Sequence, residues 1–358
     1  MDASNDIHKK WEAFLLVTIA DVAKMAGVSA MTVSRVINHS SRVSDKTRAQ
    51  VNKAIELLDY RPNMIAKGLA TGHSGLIAYV MSNLSDPFHA LVSKGIENAC
   101  FPAGYTVIIY DASSDRRVEE CVNMLIERKI DGAIFHHLNI SEQQKRMLES
   151  SNVRCVMIDN EQELADMCSV DSDNYLGARM AAEHLIARGH QRIECISGYL
   201  GGAQVNTGEY IDSFQRKIWQ DRTRGYRDVL CEHGLAPGRC YEGSGTVRQG
   251  FLLAQHYVRE ILHATPRPTA IYCENDMLAL GALSELLEMG LKVPTEMAIV
   301  GHDGLEMSTI LYPRITTVMQ PRYEMGFTAA EKLMGLICDR AAPSRTVMHS
   351  VLFEGDTT

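Results

Sequence analysis

Residues 27–38 read GVSAMTVSRVIN. Gly27, Val28 and Ser29 form a tight turn, and the residues after them fall at helical spacing. Val33, Val36 and Ile37 lie on one side of that helix, with Ala30, Met31, Ser34 and Arg35 on the other. Upstream, Thr18 is placed to cap IADVAKMA, whose Ile19, Val22, Ala23 and Ala26 share a face and which Gly27 ends. Ser29 caps the second helix. Ser44 caps a third, DKTRAQVNKAIELLDY, with Val51, Ala54, Ile55 and Leu58 inward. Three short capped helices make one small core. Two helices joined by a glycine-containing turn form a helix-turn-helix, whose second helix enters the DNA major groove. The outward residues suit that use. Arg35 can pair bidentately with a guanine edge, Ala30 and Met31 can touch thymine methyls, and Thr32, Ser34 and Asn38 can reach phosphates. The competing reading is a solvated face on a structural bundle.

Charge favours the DNA-binding reading. Residues 18–72 carry eight Lys/Arg against four Asp/Glu, a net of +4, in a chain whose overall charge is −8. The remainder is therefore at −12, which suggests a basic nucleic-acid-binding head on an acidic body.

From residue 76 the rhythm changes. Short apolar runs (LIAYVM, TVIIYDA, GAIFHHL, RCVMID, RIECISG, AIYCEND, MAIVGHD) alternate with helical segments over 89–103, 116–129, 174–189 and 276–290. That repetition implies parallel sheets with helices on both faces. About 280 residues exceed one simple doubly wound sheet, so two such subdomains with a cleft between them are expected.

The headpiece sequence VTIADVAKMAGVSAMTVSRVINHSSRVSDKTRAQVNKAIELLDYRPNMIAKGLATGHS closely resembles that of lactose-repressor-type (LacI/GalR) transcription regulators. SDPFHALVSKGIENA, AAEHLIARGHQRI, AIYCENDMLALGAL and AIVGHDGLEMS resemble the core of that family. The resemblance covers roughly residues 17–355. It implies an all-α headpiece on an α/β core like that of periplasmic sugar-binding proteins, and a dimer that recognises pseudo-palindromic operator DNA. The expected division is a leader over 1–16, the headpiece over 17–61, a hinge over 62–74 and a core over 75–358. Within the core, one subdomain takes about 75–174 and 305–335, the other about 175–304 and 336–358. In RPNMIAKGLATG, Asn63 begins a hinge helix and Leu69 matches a leucine wedge for the minor groove. Gly68 beside it departs from many relatives and weakens helix formation by about 1 kcal/mol relative to alanine. The implied DNA-contacting set is Thr18, Ser29, Ala30, Met31, Thr32, Ser34, Arg35, Asn38, Asn63 and Leu69.

A regulator of this type needs an effector. Asp159, Asn275, Asp276 and Asp303 fall at the carboxyl ends of strands, where open α/β sheets bind ligands. By resemblance, Asp159, Arg222, Asn275, Asp303 and Gln320 match effector-contacting positions, and Phe88 and His89 match first-strand-loop contacts. Each has an alternative: Asp276 reads as the N-cap of MLALGALSELLEMG, Asp303 as a strand-end cap, Arg222 as a surface ion pair. Two acids with one arginine favour a neutral sugar or polyol. The family's stacking aromatic, five residues before a Gly-aromatic pair, falls here on Gly245, ahead of Gly250–Phe251. The segment 198–222 is longer than usual and carries Tyr199, Tyr210, Phe214 and Trp219. It reads either as a lid supplying the missing aromatic or as an elongated surface helix.

Other classes have little support. GYLGGA at 198–203 is not GxGxxG, and no GxxxxGK[ST], GxSxG or HExxH occurs, so neither an enzyme nor a cofactor is expected. His136–His137 is an adjacent pair, poorly spaced for joint ligation of one metal, and no metal site is expected. Nine cysteines without a CxxC pair read as reduced, mostly buried thiols. No apolar run reaches about 18 residues, so no membrane span is expected. The start MDASNDIHKKWEAFLLV lacks the apolar region and cleavage site of an export signal, which favours a cytoplasmic protein over a secreted sugar-binding one. No leucine heptads follow VLFEGDTT, so a homodimer rather than a tetramer is expected.

Overall fold

The computed structural model describes residues 17–37, 42–61, 68, 72–160, 167–198, 216–242, 247–340 and 344–358. The chain divides into two compact units between Ser74 and Gly75.

The first unit holds α1 (Ile19–Ala26), α2 (Ala30–Ile37) and α3 (Asp45–Leu57). Thr18 caps α1 through a capping box with Asp21, whose side chain accepts from the Thr18 backbone N–H at 2.9 Å. Gly27 closes α1 in the left-handed conformation, φ 62°, a turn that costs glycine little. The Ser29 hydroxyl then accepts from the Thr32 N–H, and that of Ser44 from the Thr47 N–H. Val22, Ala23, Ala26, Val33, Val36, Val51 and Ala54 are buried together, with Val28, Ile37, Ile55 and Leu58 at the margin.

The second unit contains two six-stranded sheets. The first comprises β1 (Leu76–Met81), β2 (Thr106–Asp111), β3 (Gly132–His136), β4 (Arg154–Ile158), β5 (Cys168–Ser172) and β11 (Arg345–Met348), in the order β11-β5-β4-β3-β1-β2. The second comprises β6 (Ile193–Ser197), β7 (Cys240–Glu242), β8 (Ala270–Cys273), β9 (Ala298–Asp303), β10 (Thr316–Met319) and β12 (Val351–Phe353), in the order β12-β10-β9-β8-β6-β7. Pairing is parallel throughout except between β10 and β12. The central strands β3 and β9 are buried along their whole length, the expected state of strands covered by helices on both faces. Those helices are α4 (Phe88–Cys100), α5 (Asp115–Glu127), α6 (Glu142–Ser150), α7 (Asn174–Ala187), α8 (Arg216–Glu232), α9 (Val247–His263), α10 (Asp276–Glu288), the short α11 (Glu306–Ile310) and α12 (Arg322–Ile337).

The expected subdomain boundaries need correction. The chain stays with the second sheet through β10, and only α12 returns to the first, packing on α4. It remains there through β11, beside β5, before β12 rejoins the second sheet. The crossings therefore fall after residues 172, 319 and 348. Among the cysteines, five are buried, Cys155 and Cys240 are half-buried, and Cys231 and Cys338 are exposed; all nine are free thiols.

Candidate functional sites: a helix-turn-helix face and a cleft between the two sheets of the core

On the headpiece, Ala30, Met31 and Arg35 are exposed along one side of α2, opposite the buried Val33 and Val36. Met31 keeps 65% of its surface in solvent. A methionine so placed contributes nothing to the headpiece core. The hydroxyls of Ser29 and Thr32 bond each other at 2.9 Å. The Thr18 hydroxyl donates to Asp21 at 2.7 Å, and these bonds hold the Asp21 carboxyl below its usual range. These three side chains therefore build the helix starts. Ser34 is half-buried. Asn38, Asn63 and Leu69 lie outside the described residues.

In the second unit, a narrow cleft is lined by Asp86, Phe88 and His137 from the first sheet's side and by Ile218, Trp219, Arg222, Asn275 and Asp303 from the second's. Arg222, on α8, is buried and held at three points. Its Nε donates to Asn174 Oδ1 at 2.8 Å, a terminal nitrogen lies 3.2 Å from Asp303 Oδ1, and another donates to the Glu274 carbonyl. The Trp219 ring lies 5.4 Å from its guanidinium. Arg222 is thus part of the cleft, not a surface ion pair.

Asp303 ends β9 at φ 113°, a left-handed backbone conformation that is strained for a residue other than glycine. Gln320 donates to its carboxylate at 2.8 Å, and burial raises its pKa to about 6. The Gln320 Oε1 atom is buried and has no partner among the described residues. Asp159, at the end of β4, accepts from the Ser172 N–H at 2.6 Å and from its hydroxyl, and lies 3.7 Å from His137 Nε2.

Several expectations change. His89 does not line the cleft. It is buried beside Tyr79 and His136, at 3.0 Å and 3.2 Å, and burial holds its imidazole neutral. The cap of α10 is Asn275, whose side chain accepts from the Leu278 N–H at 2.8 Å. Asp276 instead accepts from the Leu305 N–H and the Thr317 hydroxyl, tying α10 to the turn after β9; burial raises its pKa to about 7. His136 and His137, read as poorly spaced for joint ligation of one metal, stand with their rings close together. The strand ends between them, His137 turns to φ 54°, and the ring centroids come within 4.2 Å. Trp219 is buried on the cleft wall, its ring filling the place a side chain at Gly198 would take. For that residue the surface-helix reading fails. Tyr199, Tyr210, Phe214 and Gly245 lie outside the described residues.

Sequence reasoning missed Asp86, His137, Ile218, Asn174, Glu274 and Arg322. Glu274 stands one residue before the predicted Asn275, buried and accepting from the Ser197 and Thr223 hydroxyls; burial raises its pKa to about 7. Arg322 opens α12 with its guanidinium 5.7 Å from the Phe88 ring centroid; its Nε and one terminal nitrogen are buried without a partner among the described residues. The only available signal was its position two residues after Gln320. It stands against Phe88 and outside the cleft lining, whose aspartates and arginine are Asp86, Asp303 and Arg222.

The pattern of the bacterial regulatory proteins of the lacI family matches residues 18–63, and that of a periplasmic-binding-protein-like domain matches residues 182–358. The HTH-type transcriptional repressor PurR of Vibrio campbellii is 31% identical over 334 residues, covering 92% of this chain and 95% of that protein. PurR of Erwinia tasmaniensis is 32% identical over 337 residues, covering 93% and 94%. Among solved structures, the Lac repressor dimer bound to operator and the anti-inducer ONPF superposes with a TM-score of 0.80 at 28% identity, covering 95% of this chain and 98% of that one. A complex of the regulator CelR with cellobiose gives 0.68 at 28% identity, covering 96% and 100%.

The chain belongs to the lacI family. It is a helix-turn-helix transcriptional regulator with an effector-binding core, and not an enzyme. A headpiece match over residues 18–63 sets aside the secreted sugar-binding alternative. Among the described residues, no helix is long and apolar enough to cross a membrane.

Proposed function

We propose that this lacI-family regulator is a cytoplasmic repressor that binds a pseudo-palindromic operator as a homodimer and is controlled by a small polyhydroxylated effector, a sugar or sugar derivative, held in the cleft. The observation that carries the effector reading is the unfinished hydrogen bonding around it. Gln320 Oε1 and two Arg322 nitrogens are buried without partners among the described residues. Buried polar atoms of this kind are costly unless a partner arrives. A ligand presenting both donors and acceptors meets those needs, while Trp219 and Phe88 supply apolar walls. Asp303, Asp159 and Asn275 complete the proposed contact set.

DNA recognition is assigned to α2, with Ala30, Met31 and Arg35 toward base edges and Ser29, Thr32 and Ser34 toward phosphates. Support for a second copy comes from the segment after β9. Ile310, Leu311 and Tyr312 are 72%, 60% and 86% exposed in succession, an apolar patch that a lone chain leaves in water.

Thermal-shift screening against sugars, sugar acids, sugar phosphates and nucleosides tests the effector. A ligand at 100 times its Kd stabilises by about 2.7 kcal/mol. A hit among neutral sugars is expected, and a hit confined to nucleosides would replace the sugar reading. Selected operator DNA tests the headpiece. Arg35→Ala should weaken specific binding by about 1–3 kcal/mol and relax specificity at one base pair of each half-site. Loss that is uniform across sequences would move Arg35 to the phosphates.

A further inference from the structure

We propose that His136, His137 and Asp159 form a binding site for one divalent transition-metal ion, of the zinc, cobalt or nickel class, at the wall of the cleft. One ring nitrogen of each histidine and one carboxylate oxygen of Asp159 lie within 4.8 Å of one another, and all three residues are buried. Two imidazoles and a carboxylate are a donor set such ions take, with bonds of about 2.0–2.2 Å. In a tetrahedral site those bonds place donor atoms about 3.4 Å apart. His137 Nε2 and Asp159 Oδ2, at 3.7 Å, already stand close to that spacing.

The surroundings are those of a ligand set held in place. Asp159 is fixed by the Ser172 N–H and hydroxyl. His136 Nδ1 is bonded to the Tyr79 hydroxyl at 2.6 Å, which orients the ring. The other nitrogen, Nε2, is fully buried and has no partner among the described residues. The left-handed turn at His137 gathers the two rings of adjacent residues. His137 also lines the cleft, so the ion's remaining positions are open to oxygen donors of a cleft ligand. The role in effector binding rests on the proposed function above; the metal site itself does not.

A second trio, Cys195, Cys240 and Glu274, has its donor atoms equally close. It is less suited. Glu274 already accepts from Ser197 and Thr223, and burial disfavours the Cys195 thiolate.

The test is titration of the chelator-stripped full-length protein with zinc alone by calorimetry, and with cobalt alone by absorbance. One ion per chain is expected, with a cobalt spectrum free of thiolate charge transfer. His137→Asn, which tolerates the left-handed turn, and Asp159→Asn should each weaken binding tenfold or more. Tyr79→Phe keeps the ring but loses the positioning bond, and should weaken binding about 10–100-fold while altering the cobalt spectrum. Cys240→Ser should leave binding unchanged. No binding by the wild type, undiminished binding by His137→Asn, or loss with Cys240→Ser together with thiolate bands would each overturn the site. Operator binding and the sugar screen, run on the same stripped protein, read the proposed function separately.

Discussion

At the scale of single residues, the cleft is a place where burial competes with charge. Glu274 has an ordinary pKa near 4.5 and a folded value of about 7, with burial as the first cause. Between those values the folded state binds the proton that the unfolded state has released. Stability attributable to this group therefore falls as pH rises through that window. Glu274→Gln removes the proton linkage and keeps the shape. Denaturant melts at pH 4.5 and pH 8 should show the variant gaining on the wild type by about 3 kcal/mol across the range. A difference that does not change with pH would mean that Glu274 stays charged in the fold. Trp219 belongs to the same scale. Its ring lines the cleft and stacks near Arg222, the residue that links Asn174 to Asp303. Trp219→Ala should weaken effector binding at least tenfold while operator binding persists as a check on folding. Unchanged effector affinity would remove the ring from the ligand wall.

At the scale of elements, α4 and α12 pack backbone against backbone. A Cβ at Gly95 on α4 would lie 2.1 Å from the Tyr323 carbonyl oxygen, and one at Gly326 on α12 would lie 2.1 Å from that of Val92. Backbone meets backbone there, and no side chain can rotate aside. Gly95→Ala should therefore destabilise the core by about 2 kcal/mol, despite alanine's better helix propensity, as read by chemical denaturation. A stabilised variant would show that the two helices can separate freely. The headpiece helices carry local signals: Thr18, Ser29 and Ser44 cap where they stand, and Val33 and Val36 mark a face. The apolar strands β1, β3, β4 and β9 are equally plain. By contrast β5 reads CSVDS, β7 has three residues, and β11 and β12 are edge strands, so no apolar run announces them. Subdomain membership of α12 and β11 depends on contacts more than 150 residues away along the chain, such as Arg345 with Asp171, which no local pattern encodes. The cleft was legible where family resemblance marked it, at Phe88, Arg222, Asn275 and Asp303. It was illegible at His137, whose place in the lining comes from a backbone turn.

At the scale of the whole molecule, the cleft joins two sheets that the chain links at three crossings, after residues 172, 319 and 348. A ligand touching Phe88 and His137 on one side and Trp219 and Asp303 on the other contacts both subdomains at once. It can favour one relative arrangement over another only through a difference in affinity for the two. If that arrangement governs operator affinity, thermodynamics requires reciprocity. Whatever factor the ligand applies to the Kd for DNA, operator DNA must apply to the Kd for the ligand. Both constants are measurable on the same protein, one by fluorescence anisotropy of labelled operator, the other by calorimetry with and without operator. Equal factors are expected, within the roughly 5–150-fold range common to such couplings. A ligand that binds tightly in the cleft and changes neither constant would leave the two units uncoupled, and the cleft would then not be the control site. Salt provides an independent check. Operator affinity should fall steeply with ionic strength because lysines and arginines displace counterions from DNA, while affinity for a neutral sugar should not. Measured at two salt concentrations, a true coupling keeps the two factors equal at each.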